Sequence, residues 1–199
     1  MKKIILASTS PRRRELLQHI GVPFEAIGSN YIEDMTINLE PHDLVKLLSR
    51  GKAEEVAARS EHAIVIGADT FVVSEGKIMG KPKDNDVATK MLEDISGKSV
   101  AVITGYTIID TDTGKTQSEA VETKVWFKKF NKAEIAEYVA TGEPLERAGA
   151  FGMQDLSLLF IERLEGDFFN AVGLPLSHLV VSLEKFGINI WELRKQSSK

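Results

Sequence analysis

Residues 63–73 read Ala63-Ile64-Val65-Ile66-Gly67-Ala68-Asp69-Thr70-Phe71-Val72-Val73, and this stretch decides the fold. The run Ala63–Ala68 is almost continuously apolar, as a strand must be when both its faces are covered. Asp69 then interrupts it, although Asp is a poor strand residue. β-branched and aromatic residues resume immediately afterwards. A carboxylate straight after a buried apolar strand falls where open α/β sheets bind ligands, beyond the strand's carboxyl end. A turn aspartate satisfied by its own backbone would leave the same local sequence.

Outward from this strand, strand and helix signals alternate. Ser74-Glu75-Gly76-Lys77 is a turn and Ile78-Met79 starts the return. Upstream, Ile4–Ala7 is a short buried strand, and Ser10-Pro11 reads as N-cap and first residue of a helix. That helix carries Leu16, Leu17 and Ile20 on one face and stops at Gly21. Phe24–Ile27 is a second short strand, and residues 30–40 form a polar loop. Pro41 opens a helix with Leu44, Val45, Leu48 and Val56 inward. Gly51 in its middle costs about 1 kcal/mol against Ala, so either the first half ends there or something approaches the backbone closely.

Downstream, Asp84 caps a helix carrying Ala88, Met91, Leu92 and Ile95. Ser99–Ile109 and Gln117–Phe130 are long strands of one antiparallel hairpin. Asn131 and Glu134 form a capping pair. Leu158–Leu164 and Phe168 read as strands, Pro175 opens a last helix, and the polar residues 195–199 read as a frayed tail. Parallel βαβ pieces beside long antiparallel hairpins imply the α/β class, with a mixed, elongated β-sheet flanked by helices. No linker, repeat or low-complexity block interrupts the chain, which reads as a single domain over residues 1–199.

The 199 residues include no cysteine, which excludes disulfides, thiolate metal sites and a cysteine nucleophile. His19, His42, His62 and His178 are scattered without zinc-ligand spacing. A net charge of −4, from 25 Lys+Arg against 29 Asp+Glu, argues against a nucleic-acid binder in spite of the Arg12-Arg13-Arg14 run. The apolar stretch after Lys2-Lys3 is too short for a signal peptide, and no run is long enough to span a membrane. A cytoplasmic location without membrane contact is therefore expected.

Four stretches offer chemistry. Ser8-Thr9-Ser10-Pro11-Arg12-Arg13 joins a strand to a helix start, where free N–H groups, hydroxyls and guanidinium groups converge on any phosphate; an ordinary Ser-Pro cap with solvated arginines fits equally. Asp69, with Thr70 beside it, is the second. Lys81, held between Gly80 and Pro82, lies on a stiff bend, though a solvated loop lysine would leave the same residues. Ala148-Gly149-Ala150-Phe151-Gly152-Met153-Gln154 lets backbone approach a ligand closely, and Gln154 offers a donor and an acceptor to a base edge. Together with Lys52 and the Glu33-Asp34 pair, these suggest a polyphosphate site with a divalent ion. No P-loop, dinucleotide or kinase signature is present.

The order and spacing of these motifs resemble the Maf family of nucleoside triphosphate pyrophosphatases, also described as septum formation inhibitors. The resemblance covers ILASTSPRRRELL, the IED loop, the GKA of the second helix, VIGADT, GKP, the ITGY strand, EYVATGEPLERAGAFGMQ and VGLPL. It implies two lobes with a central cleft, similar to inosine triphosphate pyrophosphatases, and a homodimer. The implied reaction takes water and a nucleoside triphosphate to the monophosphate and pyrophosphate, with Mg²⁺ or Mn²⁺. By position, Asp69 matches the proton acceptor, and Ser10, Arg13, Glu33, Lys52 and Lys81 match the triphosphate and metal cluster, with Glu33 and Asp69 toward the metal. Arg12, Thr70 and Gln154 match positions tied to substrate choice and resemble the branch acting on dTTP and UTP, not the 7-methyl-GTP branch. Phe151 and Gly51 depart from the pattern, which usually has Tyr and a helix former there. A nucleotide-binding regulator of septum formation, with little turnover, is the alternative reading.

Overall fold

The computed structural model describes residues 2–197. Among the described residues the strands are β1 (Lys3–Leu6), β2 (Glu25–Ala26), β3 (Ala63–Ser74), β4 (Lys77–Met79), β5 (Ser99–Asp110), β6 (Thr116–Phe127) and β7 (Ile161–Glu165). The α-helices among them are α1 (Pro11–His19), α2 (Pro41–Ala57), α3 (Asn85–Ile95), α4 (Lys132–Ala140), α5 (Phe168–Val172), α6 (Leu176–Glu184) and α7 (Ile190–Ser197). The sheet order is β2-β1-β3-β5-β6-β7, with β4 pairing β3 off this path. Pairing is parallel between β1 and β2 and between β1 and β3, and antiparallel for β3–β4 and β6–β7. The mixed α/β class expected from the sequence is therefore present. Among the described residues no helix is long and apolar enough to cross a membrane.

The chain divides into two compact units. The first holds Met1–Thr70, Thr104–Val121 and Gly173–Lys199, and the second Phe71–Ile103 and Glu122–Val172. The first is built on the order β2-β1-β3. From β1 the chain moves to β2 through α1, then returns past β1 to β3 through α2. Right-handed crossovers in opposite directions put α1 and α2 on opposite faces. The carboxyl ends of β1 and β3 thus flank a topological switch point.

The period of two along β3 sorts its side chains. Ala63 and Val65 pack with Ile5 of β1 and with Ala7 just after it against Ala53 and Val56 of α2. Gly67 and Asp69 continue that face. At Gly67 the helix leaves no room: a Cβ there would stand 2.3 Å from the Ser49 carbonyl oxygen and 2.8 Å from the Ala53 Cβ. Gly105 of β5 meets the Val45 carbonyl oxygen in the same way, at 2.5 Å. The buried Ser49 hydroxyl donates to the Lys46 carbonyl at 2.8 Å and lies 2.9 Å from the Thr107 hydroxyl, which fixes the helix along its length. On α6, Ser182 lies 2.8 Å from the buried Tyr106 hydroxyl, which donates to Glu119 at 2.7 Å.

The second unit bears out several expected caps. Asp84 accepts from the Val87 amide at 2.8 Å, and Asn131 and Glu134 form a reciprocal capping box. The Glu75-Gly76 turn has both residues at positive φ, 49° and 76°, as the tight hairpin between β3 and β4 needs.

Some expectations are corrected. Asp69 does not follow its strand but lies inside β3. The carboxyl end that matters is that of β1, whose pairing with β3 stops at Leu6↔Ile66, while the pairing of β3 with β4 begins only at Val72↔Met79. β6 ends at Phe127, short of Phe130. Of the strand expected over 158–164, residues 161–164 lie in β7, but 158–160 belong to a 3-10 turn over Asp155–Phe160, because the Ser157 hydroxyl bonds the Gly152 and Gln154 carbonyls and the Gly152 amide, satisfying backbone locally. Phe168 starts a short helix, since the Asp167 carboxylate accepts from the amides of Phe169 and Asn170. Ser10 occupies the N-cap position of α1, but its side chain makes no capping bond. The helix opened after Pro175 is not the last: Asn189 accepts from the Trp191 and Glu192 amides and starts α7. The frayed tail expected over 195–199 is therefore helical through Ser197, and residues 198 and 199 lie outside the described residues.

Gly67→Ala should overpack the α2–β3 contact and cost about 1–3 kcal/mol. The urea midpoint should fall with an unchanged slope, and a midpoint equal to the wild type would show that α2 does not bear on Gly67.

Candidate active site

The switch point of the first unit carries two charged clusters, one from each face of β3. Thr70 and Asp69 are successive residues of a strand, so their side chains leave on opposite sides.

On the Asp69 side, α2 supplies Lys52, three residues beyond Ser49 and one before Ala53, the two residues that touch Gly67. Its Nζ donates to Asp69 Oδ1 at 2.8 Å and pairs with Glu33 Oε1 at 2.7 Å. Lys52 and Asp69 keep only 14% and 12% of their side-chain area exposed, whereas Glu33, on the 27–40 loop, keeps 41%. The pairing therefore lies in a partly dry setting where its geometry is held. Among the described residues Lys52 is the one hydrogen-bond donor to the Asp69 side chain, and it bonds Oδ1, so Oδ2 takes no hydrogen bond there. One ammonium against two carboxylates leaves the trio net negative.

On the Thr70 side, Arg13 of α1 is held differently. Its Nε donates to the Gly173 carbonyl at 2.9 Å, its Nη2 to the Thr70 hydroxyl at 2.9 Å, and its Nη1 lies 3.5 Å from the Ser8 hydroxyl. Thr70 in turn sits 3.0 Å from the buried Thr104 hydroxyl. All these acceptors are neutral. Burial pulls the Arg13 guanidinium below its ordinary value, and the nearby charges of Asp69 and Glu33 push it back up. Arginine stays protonated regardless, so its positive charge is oriented without being cancelled by a contact. Ser10, at the start of α1, has a hydroxyl that its own helix does not use. Arg12 is half-buried and makes no ion pair among the described residues.

The structure thus brings Ser10, Arg12, Arg13, Glu33, Lys52, Asp69 and Thr70 into the first unit. Lys81 and Gln154 belong to the second. There, Pro82 is buried and the Gly80 carbonyl accepts from the Gly149 amide at 3.0 Å, so the Gly80-Lys81-Pro82 bend is anchored to the Ala148–Gln154 loop. The Lys81 side chain is 61% exposed and reaches Glu146 at 3.5 Å, an exposed pair worth little. Gln154 is half-buried, and its side-chain amide has no hydrogen bond among the described residues. Phe151 is a core residue, edge-on to Phe127 at 4.8 Å between ring centroids.

Sequence reasoning missed two parts of the Arg13 cradle. Thr104 reads as one more residue of a buried strand. Gly173 reads as turn and helix-start chemistry, and only the fold shows that its carbonyl faces Arg13. The signal available for Thr104 was a hydroxyl inside an otherwise apolar run.

Among the described residues no group of three or more His, Cys, Asp and Glu is placed to hold a metal ion by itself. Glu33 and Asp69 nevertheless converge on one cation, Lys52. Two carboxylates gathered at one point suit a Mg²⁺-type ion, which takes few protein ligands and shares substrate phosphates.

A family model described as "Maf-like protein" matches residues 3–186. A "dTTP/UTP pyrophosphatase" of Methanococcoides burtonii is 49% identical over 193 residues, 96% of this chain and 99% of the relative. Proteins of the same name from Methanosarcina barkeri, 47% identical over 96% of this chain and 98% of that one, and from a Thermoanaerobacter species, 49% identical over 92% and 96%, are similar. A solved nucleoside-triphosphatase / dITP/XTP pyrophosphatase from Mycobacterium abscessus aligns over 63% of this chain and 72% of that chain. At 14% identity and a TM-score of 0.38, that likeness is too loose to bear on the site.

Thr70→Val removes the acceptor for Arg13 Nη2 while keeping the side chain's shape. A lost hydrogen bond to a charged group should cost about 1.5–3 kcal/mol of stability, measured by urea unfolding. A loss below 0.5 kcal/mol would mean that Thr70 does not hold Arg13.

Proposed function

Because the chain belongs to the Maf-like protein family, we propose that it hydrolyses dTTP, UTP and related pyrimidine nucleoside triphosphates to the monophosphate and pyrophosphate. The relatives' shared name supports the substrate class. The observation that carries the reading in this chain is the pairing of an uncancelled cation, Arg13, with a net-negative Glu33–Lys52–Asp69 trio at one switch point. A nucleoside triphosphate with a divalent ion needs both signs together.

Arg13 and the start of α1, with Ser10, hold the triphosphate tail. Lys81 is assigned to the same triphosphate by its motif alone. Glu33 and Asp69 hold the Mg²⁺ or Mn²⁺, which supplies charge neutralisation on the phosphate oxygens when bound. Lys52 keeps the two carboxylates converged and lowers their mutual repulsion. Asp69 Oδ2 accepts a proton from a water as the water oxygen forms a bond to the α-phosphorus. The bond from that phosphorus to the oxygen bridging to the β-phosphate breaks, pyrophosphate leaves, and Asp69 returns its proton to solvent. Positioning and charge offset supply most of the acceleration, as in phosphoryl transfer generally. Arg12 and Gln154, whose side chains are uncommitted, read the base. Thr70, with its hydroxyl already shared between Arg13 and Thr104, influences substrate choice through Arg13.

The test is a panel of normal and modified triphosphates with Mg²⁺ and with Mn²⁺, scoring pyrophosphate against orthophosphate. Pyrophosphate release from dTTP and UTP is expected; tight binding without turnover would favour the regulator instead. Asp69→Asn should lose at least about 10²-fold in kcat, and near-normal turnover would remove Asp69 from the mechanism. Arg12→Ala and Gln154→Ala should change the ranking of bases, and an identical ranking in both would sink their assignment.

A further inference from the structure

Glu33 sits on an irregular loop, yet its carboxylate must meet Lys52 in one place. What holds the loop is a row of ties along the outer side of α2 and the turn after it. The Arg59 guanidinium donates to the Gly28 carbonyl at 2.6 Å. The Glu55 carboxylate accepts from the Asn30 amide at 3.0 Å. Four residues earlier on the helix is Gly51, and there the Tyr31 ring lies in the space a side chain would fill. A Cβ on Gly51 would stand 2.3 Å from Tyr31 Cζ and 2.4 Å from Cε2. Positions 59, 55 and 51 are spaced by four, so they form one row on the helix surface. The loop runs along that row from Gly28 to Glu33.

The loop's remaining apolar side chains do not hold it. Ile32 is 88% exposed and Met35 48%, so between residues 28 and 36 the apolar seat is Tyr31 alone. Gly51 has no role of its own in the helix, where it lowers stability relative to a helix former. Its use is the notch.

We propose that Tyr31, seated in the notch left by Gly51, is the positioning residue that sets Glu33 against Lys52 and so completes the acidic half of the site. The inference rests on the function proposed above for its catalytic consequence, though not for the seat itself. Gly51→Ala expels the ring while improving the helix. Tyr31→Ala leaves the notch empty. Either way Glu33 must find Lys52 from an unmoored loop, and Lys52 and Asp69 lose a fixed partner.

The test uses hydrogen exchange and kinetics on the full chain. Gly51→Ala and Tyr31→Ala should each speed amide exchange across residues 28–36, with α1 and β3 unchanged. Each should raise the Mg²⁺ concentration for half-maximal dTTP turnover about 10–100-fold, the range for losing a group that orients a metal ligand, with saturating kcat nearly kept. The double variant should match either single one, because both remove the same contact. Tyr31→Phe, which keeps the ring, should restore wild-type exchange and Mg²⁺ dependence. Unchanged exchange in both single variants would overturn the seat. Faster exchange with an unshifted Mg²⁺ midpoint would overturn its role in placing Glu33. A wild-type protein that turned over no triphosphate would defeat the proposed function instead, and the exchange data would still decide the seat.

Discussion

The backbone of α2 rests on the backbone of β3 at Gly67, and the first unit depends on that contact. A helix can come this close to a strand only where the strand has no side chain, and Gly105 supplies a second such place on β5. The consequence is positional. With Ser49 and Ala53 fixed against Gly67, Lys52 between them can only project along the same strand, and Asp69 is the next residue on that face. The ion pair at 2.8 Å is thus delivered by packing, before any charge is considered. The polar link from Ser49 to Thr107 adds direction to a contact that van der Waals packing would leave free to slide.

The two faces of β3 treat their cations differently, and the difference is chemical. Lys52 is matched by two carboxylates and serves to gather them. Arg13 is matched by a carbonyl and hydroxyls, which orient a guanidinium without neutralising it. A site built this way has a cationic side and an acidic side already in place. Little reorganisation remains when a charged ligand arrives, and that preorganisation is what makes electrostatic stabilisation effective. The α6 helix belongs to the same arrangement. Its tie through Ser182 and Tyr106 to the sheet steadies the chain that begins with Gly173, whose carbonyl holds Arg13.

The second unit fixes the surroundings of Lys81 and Gln154 by backbone shape. The Ala148–Gln154 loop contains Gly149 at φ 68° and Ala150 at φ 64°, and Asp155 just after it has φ 65°, values uncommon for residues with a Cβ. Such conformations persist only where surroundings over-determine them. Here the determinants are visible: the Gly149 amide bonds the Gly80 carbonyl, the Arg147 guanidinium pairs with Asp155, and Ser157 collects three backbone bonds. The result is a loop of defined course from which Gln154 extends with its amide unspent.

The sequence by itself determined the element pattern wherever the signal is local: the caps at Asp84 and Asn131, the Pro41 helix start, the Glu75-Gly76 turn and the buried strand around Ile64–Ile66. Each is set by residues within a few positions of one another. It also marked Arg13, at a helix start, and Asp69, inside an apolar run, as chemistry-bearing, whereas Lys52 is unremarkable in its own stretch and joins them only through the combination of motifs and the family resemblance. It misread residues 158–160, Phe168 and the 195–197 helix, where a single Ser, Asp or Asn side chain redirects the backbone. What only the tertiary structure decided is which groups meet. Glu33 joins Lys52 because a tyrosine finds a notch twenty residues away on α2. Thr104 and the Gly173 carbonyl join Arg13 because β5 and the start of α6 reach the same end of β1. Those meetings depend on register and on close approach of backbones, and neither leaves a mark on any short stretch of sequence.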